Sequence, residues 1–261
     1  MTADIIVSRR DAVQTVRMNR PAKKNALTRA MYDTMTAALQ EGDRSPGVAV
    51  HLIVGSGGTF TAGNDIQDFA DRAVDLTQRA TGASSLISTL PMLEKPIIAA
   101  VDGMAIGVGV TMLFHCDLVY ASPSASFRTP FLDLGLIMEA ASSLLAPRIM
   151  GHQRAFELLC LGETFGADRA LLAGFVNRIV PASELEAEAG KAAERLAAKP
   201  PAALAAARRL LRKGVPEAAL DRIAEEGQVF AERLGSREAK EAFAAFLGRR
   251  PRDAGKAPGG S

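Results

Sequence analysis

Two stretches place small residues where chemistry on an acyl group would need them: Phe60–Ile66 (FTAGNDI) and Lys95–Gly109 (KPIIAAVDGMAIGVG). Each sets an apolar run against small residues and then turns. Small side chains let a backbone N–H come close to a ligand, and two such N–H groups aimed at one carbonyl oxygen form an oxyanion hole. That arrangement suits a thioester or a similar acyl group. The two stretches alone do not choose among acyl reactions.

Other glycine patterns are uninformative. Gly55–Gly58 (GSGG) is not followed by Lys-Ser/Thr, so it is no phosphate loop. Gly103, Gly107 and Gly109 follow a strand pattern and precede a helical one. Their spacing is not the dinucleotide fingerprint, and no acidic residue ends a following strand at the required distance. A GxSxG elbow is absent, which argues against an α/β-hydrolase. Three scattered histidines, with no CxxC or HExxH pattern, give no expectation of a metal site. Cys116 and Cys160 sit in apolar surroundings and read as reduced core residues.

The elements that must position these residues can be read from pattern. Asp4–Arg9 and Ala12–Met18 read as short strands, and Asn19–Asn25 as a polar loop. Thr28 reads as the N-cap of a helix reaching Gly42. Val48–Val54, Ile97–Val101, Asp117–Ala121, Ser126–Arg128 and Val176–Val180 read as strands. Helical segments are expected at Ile66–Arg72, Ser84–Leu93, Gly109–Phe114, Ala141–Ile149, Arg154–Cys160 and Ala167–Leu172. From Ala182 strand patterns vanish. Glu184–Ala198, Ala202–Lys213, Pro216–Leu234 and Ser236–Leu247 read as amphipathic helices that need a surface to pack on, in their own domain or on another subunit. Strands alternating with helices, followed by helices alone, argue for α/β layers with a helical appendage. The expected division is a core over 1–198, a helical region over 199–248 and a disordered tail over 249–261.

Composition sets outer bounds. The 261 residues are 48% hydrophobic, enough for a sizeable core. No apolar run reaches about 18 residues, so no transmembrane helix is expected. The N-terminus (MTADIIVSRRD) lacks the pattern of a signal peptide, and a cytoplasmic protein is expected. The net charge is +2, but Lys191–Ser261 holds 15 Lys+Arg against 9 Asp+Glu. That basic region suits phosphates, or simply a solvated helical surface. Trp is absent and Tyr occurs twice, so there is no aromatic platform for single-stranded nucleic acid.

The blocks together resemble the crotonase superfamily, the enoyl-CoA hydratase/isomerase family. Asn19–Leu27 (NRPAKKNAL), Phe60–Ile66, Lys95–Gly109, and Cys116-Asp117 with Tyr120-Ala121 stand in the family's order and at its spacing. The resemblance runs from about residue 4 to about residue 247. It implies an α/β fold, the crotonase (ClpP-like) spiral of repeated ββα units, with C-terminal helices that mediate trimers or dimers of trimers. It implies an acyl-CoA substrate and no cofactor, nucleic acid or membrane partner. By position, the backbone N–H groups of Asn64 and Val108 form the oxyanion hole. Lys23, Ala26, Ala62, Asp65, Ile66 and Phe131 are carried over as substrate-binding residues, with Lys23 and Lys24 near the CoA phosphates. A turn for Asn64 and a solvated loop for the lysines are the plainer readings of those residues.

The resemblance also implies a choice of reaction. Hydratases of the family activate water with two glutamates, and those positions here read Thr111 and Phe131. Neither is a general base at neutral pH. Arg128–Ser143 (RTPFLDLGLIMEAASS) is similar instead to the stretch in which peroxisomal-type Δ3,Δ2-enoyl-CoA isomerases carry a single catalytic glutamate. That position is Glu139, with Met138 and Ala140 departing from the family's Pro and Gly. The plainer reading of Glu139 is an acid favoured by a helix dipole. The expected activity is therefore isomerisation, with hydration or other enolate chemistry as the first alternative and a catalytically silent CoA-binding protein as the second. Asp65 is expected to hold its loop through backbone N–H groups, Asp133 to lie in a polar loop, and His115 to be a satisfied core histidine.

Overall fold

The computed structural model describes residues 3–65 and 83–248. The helical expectation at Ile66–Arg72, the site residue Ile66 and the tail from Arg249 lie outside the described residues. In chain order the strands are β1 (Ile5–Arg10), β2 (Val13–Met18), β3 (Val50–Gly55), β4 (Ile97–Val101), β5 (Met104–Ile106), β6 (Leu118–Ala121), β7 (Ser126–Arg128), β8 (Phe165–Gly166) and β9 (Arg178–Ile179). The helices are α1 (Arg29–Arg44), α2 (Ala83–Thr89), α3 (Val108–Thr111), α4 (Ser142–Met150), α5 (His152–Leu159), α6 (Ala167–Ala173), α7 (Leu185–Ala197), α8 (Pro201–Leu211), α9 (Val215–Leu234) and α10 (Arg237–Gly248). Among the described residues no helix is long and apolar enough to cross a membrane.

Two sheets share the strands. The larger runs in the order β1-β2-β3-β4-β6-β9, and the smaller in the order β5-β7-β8. β1 and β2 are antiparallel, and β2, β3, β4, β6 and β9 pair in parallel. A repeating path links the sheets. β4 lies in the large sheet, β5 in the small one, and α3 follows; β6 and β7 repeat the step and lead on to α4. The chain leaving β3 does the same, because Thr61 bridges Ala105 in parallel beside β5. This is the ββα spiral that the sequence resemblance implies.

Alternation along the buried strands divides the core. Val50, Leu52 and Val54 of β3 face Leu185, Ala189, Ala192 and Ala193 of α7, while Ile53 faces the main core with Val16, Ala99 and Val119. Burying each large aliphatic side chain is worth about 1.5–3 kcal/mol. A third apolar cluster joins Phe131 and Leu136 to Ala239, with Phe230, Leu234 and Phe243 packed against it. The C-terminal helices α9 and α10 thus reach back over the segment that follows β7.

Several expected boundaries shift for local reasons. Thr28 does cap α1, its hydroxyl accepting the Met31 N–H. Proline at 91 cannot donate to an α ladder, so the helix expected over Ser84–Leu93 becomes α2 followed by a 3-10 turn at Leu90–Met92. The helix expected over Gly109–Phe114 is α3 plus a 3-10 turn at Met112–His115, which tightens the exit toward β6. Asn19–Asn25 contains a 3-10 turn at Pro21–Lys23. The strand expected over Val176–Val180 pairs only as β9. β5 was hidden in the glycine-rich stretch: three residues are too few to show alternation, and Gly103 and Gly107 at either side adopt φ of +57° and +55°.

Candidate active site

The Asn64 turn is held by the segment Asn19–Leu27. Asn25 is fully buried at φ +53°. Its Nδ2 donates to the carbonyls of Ser56 and Thr59 at 2.9 and 2.7 Å, and its Oδ1 accepts the Arg20 N–H at 2.8 Å. The Thr61 hydroxyl donates to the Asn25 carbonyl at 2.7 Å and accepts the Gly63 N–H at 3.0 Å. Leu27 then bridges the turn: its N–H donates to the Gly63 carbonyl at 2.8 Å and its carbonyl accepts the Asp65 N–H at 2.9 Å. In a parallel bridge of this kind both bonds go to the neighbours of Asn64, so the Asn64 N–H points to the opposite side. Its side chain is fixed from α1, where the Tyr32 hydroxyl donates to Asn64 Oδ1 at 2.5 Å.

Gly63 is what allows the second half of the site to come close. A Cβ built on it would lie 2.7 Å from the Ile106 carbonyl oxygen, and its φ is +83°. The backbone at Gly63–Asn64 therefore runs against Ile106–Gly107. Gly107 has φ +55° and ψ −117°, a conformation open to glycine, and its N–H donates to the Arg128 carbonyl at 2.9 Å. The chain then enters α3, where Val110 and Thr111 donate to the Gly107 carbonyl at 2.9 and 3.1 Å. Val108, the first residue of the helix, keeps its N–H unspent, as helix starts do. Among the described residues neither the Asn64 N–H nor the Val108 N–H has a hydrogen-bond acceptor.

Asn64 and Val108 both line one cavity of about 670 Å³. Its lining includes Ala62, Ile106, Phe131 and Leu136, together with Phe230 of α9 and Phe243 of α10. The walls are apolar except for Arg128 and Asp133, which pair with each other at 2.9 Å on the exposed side. A mostly apolar cleft with a few polar groups is the usual form of a small-molecule site.

Glu139 does not line this cavity and is tied instead to α3, the helix that Val108 begins. Thr111, at the other end of α3 from Val108, donates its hydroxyl to Glu139 Oε1 at 2.5 Å. Glu139 is half-buried, and burial pushes its carboxyl up to about 7; the Thr111 bond opposes the rise, and the nearby Glu226 adds to it. A carboxyl poised there can take and return a proton at neutral pH.

The remaining candidates are placed as follows. Ala62 and Phe131 line the cavity, whereas Lys23, Ala26 and Asp65 do not. Lys23 and Lys24 are exposed. Asp65 pairs its carboxylate with the Arg20 guanidinium at 2.6 Å, which ties its loop to the segment before α1. Asp133 is exposed. His115 is buried, pairs Nε2 with the Ala140 carbonyl at 2.8 Å, and is held down at about 4 by burial. Cys116 and Cys160 are free thiols, and burial raises both. Among the described residues no group of three or more His, Cys, Asp or Glu is placed to hold a metal.

The family model described as Enoyl-CoA hydratase/isomerase matches residues 8–255. The chain belongs to the enoyl-CoA hydratase/isomerase family. Among its relatives, enoyl-CoA delta isomerase 2 of Rattus norvegicus is 33% identical over 95% of this chain, which spans 64% of that protein's length. The 2,3-dehydroadipyl-CoA hydratase of Escherichia coli (strain K12) is 31% identical over 96% of this chain and 98% of its own. The solved structure of Pseudomonas aeruginosa OdaA superposes with a TM-score of 0.90 at 42% identity, covering 95% of this chain and all of that one. Three contributors within this family frame were not singled out from sequence: Tyr32, Glu226 and the aromatic walls Phe230 and Phe243. Tyr32 left a usable signal, since a hydroxyl on the apolar face of α1, between Met31 and Met35, must find a partner. The others come from helices whose register against the core no local pattern reveals.

Proposed function

We propose that this acyl-CoA enzyme is an enoyl-CoA Δ3,Δ2-isomerase with Glu139 as its proton shuttle. The observation that supports this reading is the half-buried Glu139 carboxyl, held by the Thr111 hydroxyl on the helix that Val108 begins and raised to about 7. The thioester carbonyl oxygen of a 3-enoyl-CoA accepts hydrogen bonds from the Asn64 and Val108 N–H groups. Ionised Glu139 removes a proton from C2. The electron pair spreads through the thioester and the C3–C4 double bond as a dienolate, and the two donors stabilise its oxygen. Removing one such donor costs about 3–4 kcal/mol in well-studied cases. Protonated Glu139 then returns the proton at C4, leaving the double bond between C2 and C3. Atoms and charge balance with one carboxyl and no cofactor.

Hydration is the second reading, favoured by the likeness to the Escherichia coli hydratase. Against it, the two positions that would hold a water carry the Thr111 hydroxyl, spent on Glu139, and the Phe131 ring in the cavity wall. Separate incubations with 3-hexenoyl-CoA and crotonyl-CoA decide between them. Conversion of the first without hydration of the second is expected. Hydration of crotonyl-CoA with no isomerisation would replace this reading, and acyl-CoA binding without turnover of either would favour a silent CoA-binding protein.

A further inference from the structure

Glu226 lies on α9 with 4% of its surface exposed. A carboxylate that deep needs hydrogen-bond donors. Its Oε2 accepts the Ala141 N–H at 2.7 Å, and its Oε1 accepts the Ser143 N–H at 3.0 Å and the Ser143 hydroxyl at 2.6 Å. Arg222, one turn earlier, donates Nη1 to the Ser143 hydroxyl oxygen at 3.2 Å. These donors form the open start of α4, whose cap position is Ala141 and has no capping side chain of its own.

The backbone under this clamp is unusual. Ala140 and Ala141 stand in succession at φ +60° and +55°, the left-handed region that residues with a Cβ rarely occupy. The turn is held from three directions. Glu226 takes the Ala141 N–H, His115 Nε2 donates to the Ala140 carbonyl at 2.8 Å, and the Ser142 hydroxyl donates to the Glu139 carbonyl at 2.6 Å. Glu139 immediately precedes the turn, so the turn fixes the direction in which its side chain leaves the backbone toward Thr111.

We propose that Glu226 is a positioning residue for the Glu139 proton shuttle, clamping the left-handed Ala140–Ala141 turn from the C-terminal helix. The kinetic arm of this proposal rests on the isomerase reading; its structural arm does not. When ionised, Glu226 also presents a like charge to Glu139 and adds to the rise in that carboxyl's proton affinity; burial raises Glu226 as well. The other groups facing the pair are the neutral Thr111 hydroxyl from α3, His115 from its 3-10 turn, Ser142 and Ser143 from α4, and Arg222, which opposes the charge of Glu226.

Two variants separate the clamp from a merely structural cap. Glu226→Gln keeps the shape and one acceptor but drops the charge, and Glu226→Ala drops the clamp. The readouts are kcat and KM on 3-hexenoyl-CoA, and the titration of Glu139 followed by NMR in protein labelled with carboxyl-13C glutamate. Loss of its signal in Glu139→Gln assigns it. Glu226→Ala is expected to lower kcat about 10–100-fold, as a misplaced reacting group does, with KM little changed. Glu226→Gln is expected to move the Glu139 midpoint to lower pH. An unmoved midpoint in Glu226→Gln overturns the proposal, even where the melting temperature falls. If Glu226→Ala does not fold, the Gln variant carries the test. Wild-type protein that fails to isomerise 3-hexenoyl-CoA overturns the isomerase reading, and the NMR midpoint still decides the role of Glu226.

Discussion

Thr111 and Glu139 are joined by a 2.5 Å hydrogen bond, the one polar contact that the Glu139 carboxyl makes among the described residues. Thr111 ends the four-residue helix that Val108 begins. One rigid turn of helix therefore sets the distance between the Val108 N–H and the Glu139 carboxyl, the proposed oxyanion donor and base. A shift of α3 would move both together and keep their relation to a bound thioester.

Glu139→Gln should abolish isomerisation while leaving the fold and acyl-CoA binding intact. The amide oxygen can still accept the Thr111 hydroxyl, but the side chain cannot take a proton. Loss of a positioned general base lowers rates by about 10²–10⁴-fold at least. Turnover of 3-hexenoyl-CoA and binding of a saturated acyl-CoA, measured side by side, check this. Full activity in the variant would remove Glu139 from the mechanism.

The rate should carry an acid limb near neutrality. Glu139 must be ionised to accept the C2 proton, and burial raises it to about 7. The value of kcat/KM should therefore fall as pH drops below about 7. Thr111→Val, close in shape, removes a bond that favours the charged form, so the limb should move to higher pH. A limb at the ordinary carboxylate range in wild type, or one that moves downward in Thr111→Val, contradicts the assignment.

Much of this was legible from sequence because glycines and caps leave local marks. Gly63 and Gly107 stood out by type and spacing, and Thr28 marked the start of α1. Asn25 was visible only as part of a block, although it donates to two carbonyls that shape the Asn64 turn. The Glu139–Thr111 bond joins residues 28 apart, and Glu226 reaches Ala141 across 85 positions. Those contacts depend on how α9 and α3 dock, which is tertiary packing and has no periodicity to read. Phe131 stands where hydratases of the family carry an acid and is expected to bind substrate; in the structure it is a cavity wall shared with α9 and α10.

Gly63→Ala should damage the hole more than the fold. The new Cβ would meet the Ile106 carbonyl oxygen at 2.7 Å, and φ of +83° strains any residue with a side chain. Such strain costs about 1–3 kcal/mol. The turn relieves it by moving Asn64 away from Val108, so kcat should drop by a factor of about 10–100, part of what one oxyanion donor is worth. Gly190→Ala in α7, where a Cβ meets nothing within 4 Å, is the control and should hold or raise stability. Equal activity in the two variants would argue against close approach at Gly63.

Glu139 should also make the protein's stability depend on pH in a particular direction. Its folded-state value of about 7 lies above the ordinary 4.5. Between those pH values the folded chain holds a proton that the unfolded chain has released. Stability contributed by this group is therefore present below about pH 4.5 and is lost as pH rises through about 7. Glu139→Gln has no proton to release and escapes the loss. The variant should match wild type in melting temperature near pH 4 and exceed it at pH 8, by a few degrees for a chain of this size. All other titrating groups are common to both proteins, so the difference between the two curves reports this carboxyl together with its coupling to Glu226. A gap between variant and wild type that is the same at pH 4 and pH 8 would mean that Glu139 is an ordinary, well-solvated acid, and the shuttle would lose the burial on which it depends.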